Sequence, residues 1–213
     1  MLTLYGACAR IDSALYLIMQ MRFTETLIAA NGLDPEQFQN WVFRPGMLFK
    51  SPDKWWGDGG RRDFPHEGLD FCLYQDPAGK ACRLGENTRI PVMHDGVVRA
   101  LFKDYLGQAV ILEHVDLDHA GGRLMSVYAH TVPEKHIVPA AVVKAGDIIA
   151  TIADTRHSKA RIRPHLHLSF GRPAPDLVYE PFVWNRMRDP EQVKLIDPLP
   201  LIRWPHQVLT VCD

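Results

Sequence analysis

Three short stretches of the chain hold side chains able to bind a metal ion: Pro65-His66-Glu67-Gly68-Leu69-Asp70-Phe71, Tyr128-Ala129-His130 and Arg163-Pro164-His165-Leu166-His167-Leu168. Together they offer four imidazoles and one carboxylate. A zinc ion that does chemistry takes three protein ligands of these types and leaves one position for water. His66 and Asp70 are four apart, which places both on one face of either a helix or an extended strand. Pro65 and Gly68 weaken a helix here, whereas Phe71, Leu73 and Tyr74 favour a strand. On a helix, His66-Glu67-x-x-Asp70 would be an altered His-Glu-x-x-His motif with Glu67 as general base. On a strand, Glu67 turns to the opposite face, away from any metal, and that is the reading adopted. His165 and His167 are two apart, so a strand projects both from one face while Leu166, Leu168 and Phe170 fill the other. His130 closes a candidate strand and gains meaning only if the fold brings it beside the others.

A second histidine-rich run, Glu113-His114-Val115-Asp116-Leu117-Asp118-His119, looks like the His-x-His-x-Asp-His run of metallo-β-lactamases with Asp116 where a histidine belongs. That run needs a strand leading into a helix. Here Ala120-Gly121-Gly122 follows and another strand begins at once, so the segment reads as a solvated hairpin tip.

Positioning these residues is the task of an element pattern that changes along the chain. From Ile11 to about Ala30, apolar residues recur at three- and four-residue steps, which predicts a helix stopped by Asn31-Gly32. Asp34-Pro35-Glu36-Gln37 predicts a short second helix, with Asp34 as N-cap. Residues 45–65 read as loop and carry the adjacent pair Trp55-Trp56, either half-buried packing residues or a wall of a substrate groove. Between Phe64 and Phe170, strands are expected at Gly68–Tyr74, Gly96–Phe102, Gln108–His114, Arg123–His130, Asp147–Ala153 and His165–Phe170. Such closely spaced strands favour an antiparallel β core. Beyond Gly171 the chain is proline-rich, with a helical segment expected near Pro190–Leu195 and an extended tail. The expected division is 1–59 as an N-terminal helical extension and loop, 60–172 as the β domain, and 173–213 as a C-terminal extension packing on the core.

A net charge of −1 gives no overall electrostatic attraction to nucleic acid or to a membrane surface. No transmembrane span of about 20 apolar residues is present, and no secretory signal is visible. The four cysteines, Cys8, Cys72, Cys82 and Cys212, lack paired Cys-x-x-Cys spacing, which speaks against a thiolate zinc site. Cys72 and Cys82 could bridge a hairpin or remain free thiols.

In this order and on this β pattern, His66-x-Gly68-x-Asp70, Tyr128-x-His130 and His165-x-His167 resemble the motifs of the lysostaphin/LytM-type zinc endopeptidases, which cut peptide cross-links of bacterial cell walls. The resemblance covers about residues 60–172. It implies a mainly β, two-sheet antiparallel fold with a groove across one sheet. It further implies one Zn2+ per chain held by His66, Asp70 and His167, with His130 and His165 flanking a bound water as catalytic groups. The implied partner is a peptidoglycan stem peptide or another peptide, and a periplasmic or extracellular location follows from that substrate. A catalytically silent binding module on the same fold, or a zinc hydrolase with a non-wall substrate, are the alternatives. The chain departs from the family in three places. The loop before the His-x-His strand is basic (Asp154 to Arg163), no tyrosine lies between Tyr16 and Tyr74, where family members often carry one near the metal, and no export signal is visible although the implied substrate lies outside the cytoplasm.

Overall fold

The computed structural model describes residues 22–114, 123–158 and 162–209. The chain begins there with helix α1 (Phe23–Ala30). The expected helix is therefore present over its described part; residues 11–21 lie outside the described residues, as does most of the hairpin tip read at 113–119. Gly32 takes φ +60°, the left-handed conformation that ends a helix cheaply only at glycine. Pro35–Gln37 forms one 3-10 turn, and the Asp34 carboxylate accepts from the backbone N–H of Glu36.

The rest is strand. In chain order these are β1 (Asn40–Phe43), β2 (Leu69–Phe71), β3 (Leu73–Gln75), β4 (Ala81–Arg83), β5 (Arg89–Pro91), β6 (Gly96–Lys103), β7 (Gln108–His114), β8 (Leu124–Pro133), β9 (Val142–Val143), β10 (Ile148–Ile152), β11 (Leu166–Pro173), β12 (Val193–Ile196) and β13 (His206–Val208). The larger sheet runs β12-β11-β8-β7-β6-β9, with β10 joining β8 and β5, and β2 joining β11. The smaller sheet runs β13-β1-β3-β4. Every pairing is antiparallel except β1 with β13. The antiparallel β core is what the strand spacing led one to expect, and its two sheets are what the resemblance implied.

Three local expectations are corrected. The stretch Gly68–Tyr74 is two strands: β2 pairs with β11 of the larger sheet and β3 with β1 of the smaller. The chain changes sheets at Cys72, which is how one short segment ties both layers together. The segment near Pro190–Leu195 is not helical. Val193–Ile196 forms β12 beside β11, with Val193 buried on a sheet face, and a helix, α2 (Trp184–Arg188), comes earlier. Alternating burial of Val193 and Leu195 won over local helix propensity. The tail is not merely extended, because Leu199–Ile202 makes a helical turn before β13.

Two apolar layers hold this together. Phe23 and Leu27 of α1 pack with Trp41, Phe43 and Phe71 between the sheets, all with no measurable exposure. On the other face of the larger sheet, Ile111, Met125 and Val127 are covered by Phe182 and Met187 from the C-terminal segment. Cys72 and Cys82 are both free thiols.

Candidate functional site

The site is built where β2, β8 and β11 meet. Asp70 lies directly across from His167 in the β2–β11 ladder, and His167 faces Ala129 of β8 on its other side. This register puts the Asp70 and His167 side chains on one face of the sheet, as cross-strand neighbours. Gly68 permits the approach: a Cβ there would stand 2.2 Å from the Leu168 carbonyl oxygen and 2.6 Å from Ser169 Oγ. His66 precedes β2, and its backbone is pinned by bonds from Lys50 N to His66 O and from His66 N to Ser51 O. His165 precedes β11, and His130 sits in β8.

Three donor atoms converge. His66 Nε2 is 3.1 Å from Asp70 Oδ1 and 2.9 Å from His167 Nδ1, which is itself 2.9 Å from Asp70 Oδ1. All three residues are buried. The Leu48 carbonyl can only accept, so His66 Nδ1, 3.0 Å away, carries the proton and Nε2 turns a bare lone pair inward. Asp70 Oδ1 is likewise an acceptor. Its other oxygen is already taken by Trp55 Nε1 at 2.6 Å, with Arg62 at 3.6 Å. His167 Nε2 has Ser169 Oγ at 2.8 Å, which frees Nδ1 for the cluster. Two inward lone pairs and one ring nitrogen within bonding reach of one another form an acceptor-rich nest that a divalent cation satisfies completely and a single proton does not. Burial alone would raise the Asp70 carboxyl. The imidazoles of His66, His165 and His167 crowded around it hold it well below the ordinary value, so the carboxylate is charged.

His165 and His130 stand beside this nest, their ring centroids 4.8 Å apart. His165 donates Nδ1–H to the Arg163 carbonyl at 2.7 Å, and its Nε2 lies 3.8 Å from Asp70 Oδ1. Burial pushes its pKa down to about 3 against the pull of Asp70, so the ring is neutral. His130 is held by Asp104, whose Oδ2 accepts from the His130 backbone N–H at 2.7 Å and from Nδ1 at 3.1 Å. In the neutral ring the proton then sits on Nδ1, and Nε2 carries the lone pair. These two bonds hold His130 at φ +63°, a conformation costing a β-capable residue on the order of 1 kcal/mol. Burial would raise the Asp104 carboxyl, but the hydrogen bond and charge of His130 bring it down to about 2.

All five residues named from the sequence are thus within one cleft of about 190 Å³. Glu67 needs a correction. It does not turn away but lines the same cleft, because the two residues before Gly68 are not yet in the strand. Its carboxylate is bound by Arg188 of α2 rather than by the nest. Trp55 and Trp56 prove to be site residues. Trp55 holds Asp70, and Trp56, with the Arg62 guanidinium 4.5 Å from its ring, walls the cleft. Sequence reasoning missed Asp104, Trp184 and Arg188. Trp184 sets its edge against His167 with 5.2 Å between ring centres. In the sequence Asp104 signals a turn, since Oδ1 also accepts from Leu106 and Gly107 N–H. Nothing local marks Trp184 or Arg188.

Residues 75–175 match Peptidase family M23, a span that contains His130, His165 and His167 and begins after His66 and Asp70. No curated protein matches the chain. Among solved structures, lysostaphin is similar at 19% identity over 70% of this chain and 50% of its own, with a TM-score of 0.42. The catalytic domain of the prophage-encoded M23 protein EnpA from Enterococcus faecalis is similar at 23% identity, over 63% of this chain and 90% of its own, with a TM-score of 0.38. Csd3 of Helicobacter pylori is similar at 21% identity over 81% of this chain and 36% of its own, at 0.43. The chain therefore spans about half the length of the lysostaphin chain that it matches.

Proposed function

From a chain that carries a peptidase family M23 domain over residues 75–175, we propose a zinc-dependent endopeptidase that hydrolyses peptide bonds in the cross-links of bacterial cell-wall peptidoglycan. The observation that carries the reading is the nest itself: three buried atoms able to ligate, two of them with inward lone pairs, flanked by two imidazoles. His66 Nε2, Asp70 Oδ1 and His167 Nδ1 would hold the ion, and this set of two imidazoles and one carboxylate is a known catalytic zinc set. Bound there, zinc lowers the pKa of water from about 15.7 to near 7 and polarises a carbonyl.

The chain's own residues do the rest. Trp55 and Arg62 occupy Asp70 Oδ2 and so present Oδ1 alone to the ion. Asp104 fixes the His130 tautomer with Nε2 free to take a proton, the role of a general base oriented by a carboxylate. His165, neutral with its proton on Nδ1, offers a second nitrogen on the same side of the cleft. Trp56, Trp184 and Leu106 give the cleft an apolar lining beside the histidines, which limits bulk water there. The test is metal content with and without chelator, followed by digestion of purified cell-wall sacculi. Stoichiometric zinc with release of cross-link peptides is the expected result. Retained zinc with intact sacculi would move the substrate off the wall, and absence of zinc would leave a silent binding module.

A further inference from the structure

A second cleft, of about 220 Å³, shares Trp56 with the first, and its charged lining is Arg44, Arg83 and Arg163. These arginines come from three distant parts of the chain: the turn after β1, the end of β4 and the segment just before His165. All three are exposed, and no carboxylate lines that cleft among the described residues. Elsewhere on this molecule arginines have acidic partners, as Arg99 and Arg123 do in Glu113 and Arg156 does in Asp154 and Glu86. Among the described residues, Arg44, Arg83 and Arg163 form no such ion pair. Three like charges gathered in a concave site raise the local potential and are relieved by an anion.

The position matters as much as the charge. Trp56 walls both the metal-ligand cleft and the arginine cleft. Arg83 and Arg163 also line a third cleft, which shares Ile162 with the first and carries the Glu86–Arg156 pair as well. Shared walls at Trp56 and Ile162 therefore set the arginines next to the cleft that holds the metal-ligand residues. We propose that Arg44, Arg83 and Arg163 form a carboxylate-binding subsite that selects acidic peptide substrates, resting on the hydrolase reading above for what lies in the neighbouring cleft. The guanidinium fork matches a carboxylate in a bidentate fashion, and carboxylates are the anions that a peptide itself supplies.

The test uses the full chain and two synthetic peptides of wall type. One has two free side-chain carboxylates and the other has both amidated. Stopped-flow tryptophan fluorescence reads binding, and cleavage is followed in the same mixtures. The acidic peptide should bind about 100-fold more tightly, at about tenfold per charge-assisted contact. The ratio should shrink toward one in the Arg83→Gln/Arg163→Gln variant and on raising salt. Arg44→Gln, on a separate element, should cost about tenfold by itself. Equal affinities in the unaltered protein, no binding of either peptide, or a ratio that survives the double substitution overturns the subsite. Cleavage with a ratio of one removes the subsite and keeps the hydrolase; a preserved ratio without cleavage does the reverse.

Discussion

Two buried histidines of the larger sheet, His114 and His167, invite comparison. Each has a serine oxygen within hydrogen-bond reach, Ser126 at 2.7 Å and Ser169 at 2.8 Å. Each is almost inaccessible to water. His114 is complete as it stands. Its Nδ1 donates to the Asp95 carbonyl at 2.9 Å, and its Nε2 accepts from Ser126. His167 instead turns Nδ1 toward a lone pair on His66 and a carboxylate oxygen of Asp70. Burial is therefore common to both sites and distinguishes neither. What separates them is donor–acceptor arithmetic: one imidazole is matched, and the other belongs to a group with more acceptors than protons.

The largest effect that can break this comparison is loss of metal. Replacing Asp70 or His167 by Ala should weaken metal retention by about a thousandfold or more, since each removes one of three ligands. His114→Ala should leave metal stoichiometry unchanged. Chelator competition measures both, and an equal loss in the His114 variant would erase the distinction. Next comes His130→Ala, which touches no ligand atom. Metal should stay bound while turnover falls by about 10² to 10⁴-fold, the usual worth of a positioned acid–base group. Steady-state kinetics beside metal analysis decides this.

A third effect belongs to the matched histidine. Burial pushes the His114 pKa down from 6.5 to about 4. The folded state therefore disfavours the protonated ring, so the contribution is full above about pH 6.5 and is lost as pH falls toward 4. It amounts to at most about 3 kcal/mol. Denaturant melts between pH 7 and 4 should show a loss that His114→Gln reduces. The last effect is at Glu67. Its buried carboxylate is committed to Arg188, so Glu67→Gln should cost about 1–3 kcal/mol of stability and leave metal affinity untouched. A loss of metal as large as in His66→Ala would instead make Glu67 part of the nest.

The alternation in Pro164-His165-Leu166-His167-Leu168, with its leucines turned to the core, made β11 readable from the chain alone. The same holds for β7, whose expected bounds, Gln108–His114, are those observed. Division of Gly68–Tyr74 at Cys72 was not readable, because the apolar run is continuous and only the partner strands differ.

By itself, the sequence determined which side chains could bind a metal and the strand period that presents them. These depend on residue type and local spacing, so they are written in the chain. Only the tertiary structure decided that Trp55 takes one oxygen of Asp70, that Asp104 sets the proton of His130, and that three arginines share a cleft with Trp56. Those relations join residues 15 to more than 100 positions apart, and register and sheet order fix them, which no local pattern encodes.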